Sequence, residues 1–267
     1  RLHQLEAVLL RRCDGVLAAG PQGLLRLAEM QRSGGAASFS ASVDEALNVL
    51  RAEPAGELRE SITLVGNLKR LTEYPAEQVA ARQPAKRLQL LYIGVLEKHP
   101  SRGVLETALA VEGLEGVEFL VGGFGTLVPQ LERLCSRLQN TRYLGPVPPD
   151  EVATRTMEAD AVLLALDPAN LNNRLATPNK FYEAMAAGVP LVTCEELLLG
   201  HFVADAGIGV AFAWRNWREL RRVIAGLRDA PEERGAMGRR ARTLAEERFS
   251  WTVCEARLAE LYDRLSG

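Results

Sequence analysis

Leu88-Gln89-Leu90-Leu91-Tyr92-Ile93-Gly94 is the stretch on which the fold turns, together with Val95-Leu96-Glu97-Lys98-His99-Pro100-Ser101-Arg102-Gly103 after it. An apolar run of strand length ends on glycine, a polar loop follows, and a helical pattern starts near Ser101. The same grammar repeats downstream. Residues 88–93, 117–121, 141–144, 161–165, 191–193 and 209–212 read as strands. Helical patterns near 101–111, 126–139, 149–158, 178–187, 197–206 and 216–228 separate them, and 231–247 and 251–266 follow. Strands that are apolar throughout are buried on both faces, which calls for a parallel sheet covered by helices on each side. The expectation is an α/β protein with a doubly wound, Rossmann-like parallel sheet.

Upstream the pattern is weaker. Residues 1–30 read as helix, strand, helix, with the strand over 14–20, and residues 31–43 read as a Gly- and Ser-rich loop. A helix over 43–51 and a strand over 62–65 follow. The chain divides on this reading into a partial N-terminal α/β region (1–75), a connector (76–87), a main α/β domain (88–248) and a terminal helix (249–267) that packs back toward the N-terminal part.

Composition narrows the function. With 267 residues, 47% hydrophobic and 25% charged, the chain is an ordinary globular protein and not a disordered or disulfide-stapled one. A net charge of -2 gives no pull toward nucleic acid. No apolar run approaches the ~18 residues of a membrane span, and charge interrupts the N-terminus where a signal peptide would be apolar. Cys13, Cys135, Cys194 and Cys254 are scattered without a CxxC, and His3, His99 and His201 complete no zinc spacing. The expectation is a reduced, cytoplasmic protein with buried thiols and no metal.

In a doubly wound sheet, ligands bind beyond the carboxyl ends of the strands. Gly94 would let a ligand approach the backbone there. Arg102, placed in the first turn of a helix, conflicts with the helix dipole unless an anion lies beside it; the alternative is a solvated helix face. Thr177-Pro178-Asn179-Lys180-Phe181-Tyr182-Glu183-Ala184-Met185-Ala186-Ala187-Gly188 reads as a helix with Thr177 as N-cap and Pro178 at its first position. The N–H groups of Asn179 and Lys180, with the Lys180 ammonium, then form an anion site. Glu183 lies one turn deeper among apolar and small residues, so its carboxylate needs a partner: either a ligand diol or a neighbouring Lys or Arg. Val121-Gly122-Gly123-Phe124-Gly125 lacks the GxGxxG spacing and reads as a tight turn. Pro146-Val147 reads as a rigid turn with an apolar surface.

Taken in order, Gly94 with Arg102-Gly103, Val121-Gly122-Gly123, Tyr143-Leu144-Gly145-Pro146-Val147-Pro148, Ala159-Asp160-Ala161-Val162-Leu163, the block from Thr177 to Pro190, and Phe249-Ser250-Trp251 resemble the donor-binding domain of GT-B glycosyltransferases, most like glycosyltransferase family 4. The resemblance covers residues 88–267, and residues 1–30 resemble the end of that family's acceptor-side domain. It implies a nucleotide-diphosphate sugar as donor, retention of configuration, no bound metal or cofactor, and a role in glycan or polysaccharide synthesis. It assigns the ribose hydroxyls to Glu183 and the diphosphate to Arg102, Lys180 and the backbone at Asn179. Thr177, Pro178, Gly94 and Gly123 would border the donor, and Pro146 and Val147 would flank the base. Arg102, Lys180 and Glu183 would carry catalysis, the two cations by stabilising the departing diphosphate.

Two positions depart from the family. Leu175 stands where the first Glu of its E-x7-E motif falls, and Val95 stands near a second diphosphate Arg, for which Lys98 is a candidate replacement. A complete acceptor-side domain needs roughly 150 residues, so the chain is expected to be an N-terminally incomplete piece. The rival functions are a sugar-nucleotide epimerase of the same fold and a non-catalytic binding module. Trp214-Arg215-Asn216-Trp217-Arg218 with Arg221-Arg222 offers a basic aromatic ridge for peripheral membrane contact, with a solvated helix face as the alternative.

Overall fold

The computed structural model describes residues 16–18, 25–26, 42–52, 57–59, 62–64, 66–81, 87–99 and 101–266. The helix expected before residue 13, most of the one over 22–30 and nearly all of the loop over 31–43 lie outside these residues, as does Cys13. Three short strands, β1 (Val16–Ala18), β2 (Glu57–Arg59) and β3 (Ile62–Leu64), form a small sheet in the order β1-β3-β2. Helix α1 (Val43–Ala52) precedes β2. It opens on a capping box: Glu45 N–H donates to Ser42 Oγ at 3.1 Å, and Ser42 N–H donates to Glu45 Oε2 at 2.8 Å. Helix α2 (Ala76–Ala80) follows in the connector.

The main sheet holds β4 (Leu88–Val95), β5 (Val117–Phe124), β6 (Thr141–Gly145), β7 (Ala161–Leu164), β8 (Leu191–Cys194) and β9 (Gly209–Phe212). Every pairing is parallel and the order is β6-β5-β4-β7-β8-β9. The chain starts in the middle, winds outward to β6, and crosses back to the other side of β4. The strand order therefore reverses between β4 and β7, which opens a crevice at their carboxyl ends. All of β7 and β8 is buried, as the apolar run of β7 requires, and the one polar side chain, Thr193 of β8, donates its hydroxyl to the Leu164 carbonyl at 2.9 Å. Helices α3 (Val104–Val111), α4 (Val128–Cys135), α5 (Val152–Glu158), α6 (Leu171–Leu175), α7 (Asn179–Ala186), α8 (Leu198–Asp205) and α9 (Trp217–Asp229) connect the strands or follow them, and α10 (Pro231–Glu247) and α11 (Trp251–Ser266) close the chain.

Several boundaries differ from the sequence reading, each for a local reason. β4 runs through Gly94 and β5 through Gly122 and Gly123, so the Gly pair is ladder and not a turn. Gly94 and Gly123 face each other across the ladder. A Cβ on Gly123 would lie 1.9 Å from the Gly94 carbonyl oxygen, so bare backbone is what lets these strand ends close up. Helix α3 starts only at Val104, after Gly103 in the left-handed conformation (φ 65°, ψ 13°), which puts Arg102 just outside the helix and not in its first turn. Pro178, extended at ψ 159°, occupies the cap position of α7 in place of Thr177. Cys194 and Cys254 are buried, while Cys135 is only half-buried.

Long arginines tie the layers together. Arg234, 4% exposed, donates to the Leu227 carbonyl at 2.7 Å and pairs with Asp160 at 3.4 Å. Asp160 in turn accepts from the Gln89 N–H at 2.8 Å, fixing the entry to β4. Removing one partner of a buried pair strands the other, so Arg234→Met is expected to lower the unfolding free energy by about 3 kcal/mol. An unchanged urea midpoint would contradict this. At the far end, Lys69 bridges Ser250 in parallel register and its carbonyl accepts from the Trp251 N–H at 2.8 Å, while Arg248 donates to the Arg51 carbonyl at 2.7 Å. The start of α11 is thereby laced to the segment after β3 and, through Arg248, to the end of α1.

The Trp214–Trp217 ridge turns inward. The two rings meet edge to face at 5.5 Å and pack on the core, and Trp217 also contacts Phe212. Arg221 is committed to the Ala110 and Glu112 carbonyls, both at 2.7 Å. Arg215, Arg218 and Arg222 remain exposed beside the half-buried rings. Among the described residues no helix is long and apolar enough to cross a membrane.

Candidate functional site

The crevice at the carboxyl ends of β4 and β7 gathers side chains from four segments. Tyr92 and Gly94 come from β4, Arg102 from the approach to α3, Lys180 and Glu183 from α7, and Lys69 from the segment after β3. Tyr92 is fully buried, and its hydroxyl donates to the Val95 carbonyl at 2.8 Å, which fixes the ring. Burial, opposed in part by the Arg102 charge, pushes the Tyr92 phenol up to about 12, so it stays neutral. The Lys180 Nζ rests 3.6 Å from the centroid of that ring. It also lies 3.2 Å from where a Cβ on Gly94 would be, so a larger residue there would press on the lysine's seat.

Lys180 is under electrostatic tension. Burial first, and then the neighbouring Arg102 charge, pull its ammonium down to about 7 from the ordinary 10.5, with Glu183 opposing. Arg102 itself is half-buried and has no ion-pair or hydrogen-bond partner among the described residues. Above them, the Asn179 and Lys180 N–H groups at the start of α7 have no protein acceptor among the described residues; the first N–H with one is Phe181, bonded to the Pro178 carbonyl at 3.0 Å. Two cations that act on each other and two N–H groups without a protein acceptor thus lie at this end of the sheet, and Glu183, the carboxylate that acts on Lys180, is itself paired with Lys69. An anion would relieve the repulsion and accept all four.

The tension has a measurable sign. Between about pH 7 and 10.5 the unfolded chain binds a proton at Lys180 that the folded chain has largely released, so this group makes stability rise with pH across that window. Lys180→Met is expected to flatten the slope of stability against pH between 7 and 10; the same slope in both proteins would contradict the assignment.

Glu183 has an internal partner. Its Oε1 lies 2.8 Å from Lys69 Nζ, with the two side chains 15% and 20% exposed. Of the two alternatives left by the sequence, the neighbouring cation is the one found. A single ammonium does not exhaust the lone pairs of a carboxylate. Tyr74 stands close enough that Glu183 adds to the burial that pushes its phenol up.

The remaining candidates are spread along the same edge of the sheet. Thr177 and Pro178 are half-buried and lead into α7, and Asn179 is exposed at its first position. Val147, beyond β6, sits over Gly122 so closely that a Cβ there would be 2.5 Å from it, and Pro146 beside it is exposed. Lys98 is exposed and no contact joins it to Arg102, Lys180 or Glu183. Leu175 is 1% exposed and belongs to the core. Asn173, also buried, spends its amide on the Asp167 carbonyl at 3.0 Å. The sequence reading missed Tyr92, Lys69 and Tyr74. The only local signal was the aromatic residue two positions before Gly94.

Residues 102–262 match the family model described as glycosyl transferase-like. Glycogen synthase of Mycobacterium tuberculosis is 30% identical over 194 residues, which is 68% of this chain and 44% of that protein. The chain therefore spans less than half the length of this curated relative. Sucrose-phosphate synthase from Thermosynechococcus elongatus superposes with a TM-score of 0.68 at 18% identity, covering 98% of this chain and 61% of that one. HepE from Anabaena, solved with UDP-glucose, superposes with a TM-score of 0.61 at 17% identity, covering 99% of this chain and 84% of the other. The shared architecture is the GT-B fold.

Proposed function

We infer the function from the premise that this chain belongs to the glycosyl transferase-like family. The proposal is that it binds a nucleotide-diphosphate sugar at the carboxyl ends of β4 and β7 and transfers the sugar to an acceptor with retention of configuration, in glycan or polysaccharide synthesis. The observation that carries it is the unpaired Arg102 beside Lys180 at the open N-terminus of α7.

In this reading the diphosphate lies between Arg102, Lys180 and the Asn179 and Lys180 N–H groups. As the sugar bond breaks, negative charge grows on the leaving phosphate, and donors already aimed there stabilise it with little reorganisation. Gly94 keeps a side chain away from the diphosphate, Gly123 lets the ends of β4 and β5 close up beside it, and Thr177 and Pro178 border it. Glu183 shares its carboxylate between Lys69 and the ribose diol, and Val147 with Pro146 flanks the base. The chain's own cations serve in place of a metal. The acceptor is a glycan, lipid-linked or small molecule.

A thermal-shift screen with UDP, GDP, ADP and TDP tests the reading. A ligand at 100 times its dissociation constant adds about 2.7 kcal/mol of stability, and one of the four is expected to do so. No shift with any of them overturns it.

The burial of Leu175 favours a second reading, a binding module that holds the donor without transferring it, because this position cannot reach a sugar. Incubation of the full-length protein with the matching sugar nucleotide separates the readings. A transferase releases nucleotide, slowly by hydrolysis or quickly with acceptor, an epimerase changes the sugar without acceptor, and a binding module does neither.

A further inference from the structure

We propose that Tyr92 is the positioning residue for Lys180: its ring face holds the ammonium over Gly94 while leaving the ammonium's donors free for the diphosphate. This deepens the donor-site reading above and rests on it. A partly buried ammonium needs a partner, and the usual one is a carboxylate. A carboxylate would occupy the N–H donors and compete with the phosphate. An aromatic face attracts the cation through its quadrupole and takes no lone-pair bond from it.

The geometry fits that role at three points. Lys180 Nζ lies 3.6 Å from the Tyr92 ring centroid. The ring cannot swing away, because it is 1% exposed and its hydroxyl is bonded to the Val95 carbonyl at 2.8 Å. The space beside Nζ is kept open by Gly94, whose Cβ would lie 3.2 Å from it. The charged groups that act on Lys180 are Arg102, from the approach to α3, and Glu183 on its own helix, and Glu183 is paired with Lys69 at 2.8 Å. The ring is therefore a counterpart that stays uncharged throughout.

The test keeps the size of the side chain and changes the charge on its face. Tyr92→Phe retains the ring and removes the hydroxyl; pentafluorophenylalanine at position 92 reverses the quadrupole at nearly the same volume. The affinity for UDP, GDP, ADP and TDP is measured by calorimetry from pH 6 to 9. Tyr92→Phe is expected to bind the best nucleotide within about 3-fold of the unaltered protein, and the fluorinated ring to bind about 10-fold more weakly, with its pH midpoint moved down. In a Lys180→Met background the fluorinated ring is expected to have no further effect, which a purely structural role of the ring would not produce. Unaltered affinity and pH profile with the fluorinated ring overturn the proposal, as does an equal loss in Tyr92→Phe. If the unaltered protein binds none of the four nucleotides, the donor-site reading fails and takes this proposal with it.

Discussion

Arg102→Met combined with Lys180→Met is expected to weaken nucleoside diphosphate binding by about 100-fold or more while leaving the protein folded. Each charge-assisted hydrogen bond is worth about 1.5–3 kcal/mol, and the pair supplies at least two. The same double substitution is expected to raise the melting temperature. It removes a buried ammonium held down to about 7 by burial and by Arg102, and in the free protein that ammonium is a cost to folding. Loss of binding with gain of stability is the signature of a site built for a ligand that is not yet bound. Loss of both would mean that the cations hold the fold together, and the site assignment would be wrong.

Among the described glycines, Gly123→Ala is expected to carry the largest stability loss. Its Cβ would overlap the Gly94 carbonyl oxygen at 1.9 Å, and its φ of +141° is one that an L residue rarely adopts. The ends of β4 and β5 would have to part, at about 3 kcal/mol or more. Gly113 provides the control, because it too has a positive φ, of +66°, but a Cβ there meets nothing within 4 Å. Gly113→Ala is expected to cost only about 1 kcal/mol. Urea denaturation of the two variants separates overlap from conformational cost. Equal midpoints would mean that the close approach of the strand ends is not what Gly123 provides.

The parallel sheet was legible because β7 is apolar on every residue and β4 carries a single polar side chain, Gln89, and burial on both faces explains such runs. The ends of β4 and β5 were not, because Gly94, Gly122 and Gly123 read as punctuation while the structure uses them as ladder that tolerates no side chain. The Ser42–Glu45 capping box was written in the sequence and is visible as soon as it is sought. Arg102 and Lys180 stand out from local pattern alone, since each sits near the start of a helix where a cation is out of place. Tyr92 and Lys69 do not, since what they do depends on contacts with α7, which is distant in the chain. The sequence left the Trp214–Trp217 ridge between two readings, because alternation of aromatic and basic residues is the same whether the rings face lipid or pack on each other and on the core, as they do here.

In the proposed function the crevice between β4, α3 and α7 holds a diphosphate. Calorimetric titration of UDP, GDP, ADP and TDP, each against its own nucleoside, tests it most directly. At least one diphosphate is expected to bind about 10-fold or more tightly than its nucleoside, with that preference lost in Arg102→Met. Equal binding of each diphosphate and its nucleoside, or a preference that survives the loss of Arg102, would contradict it.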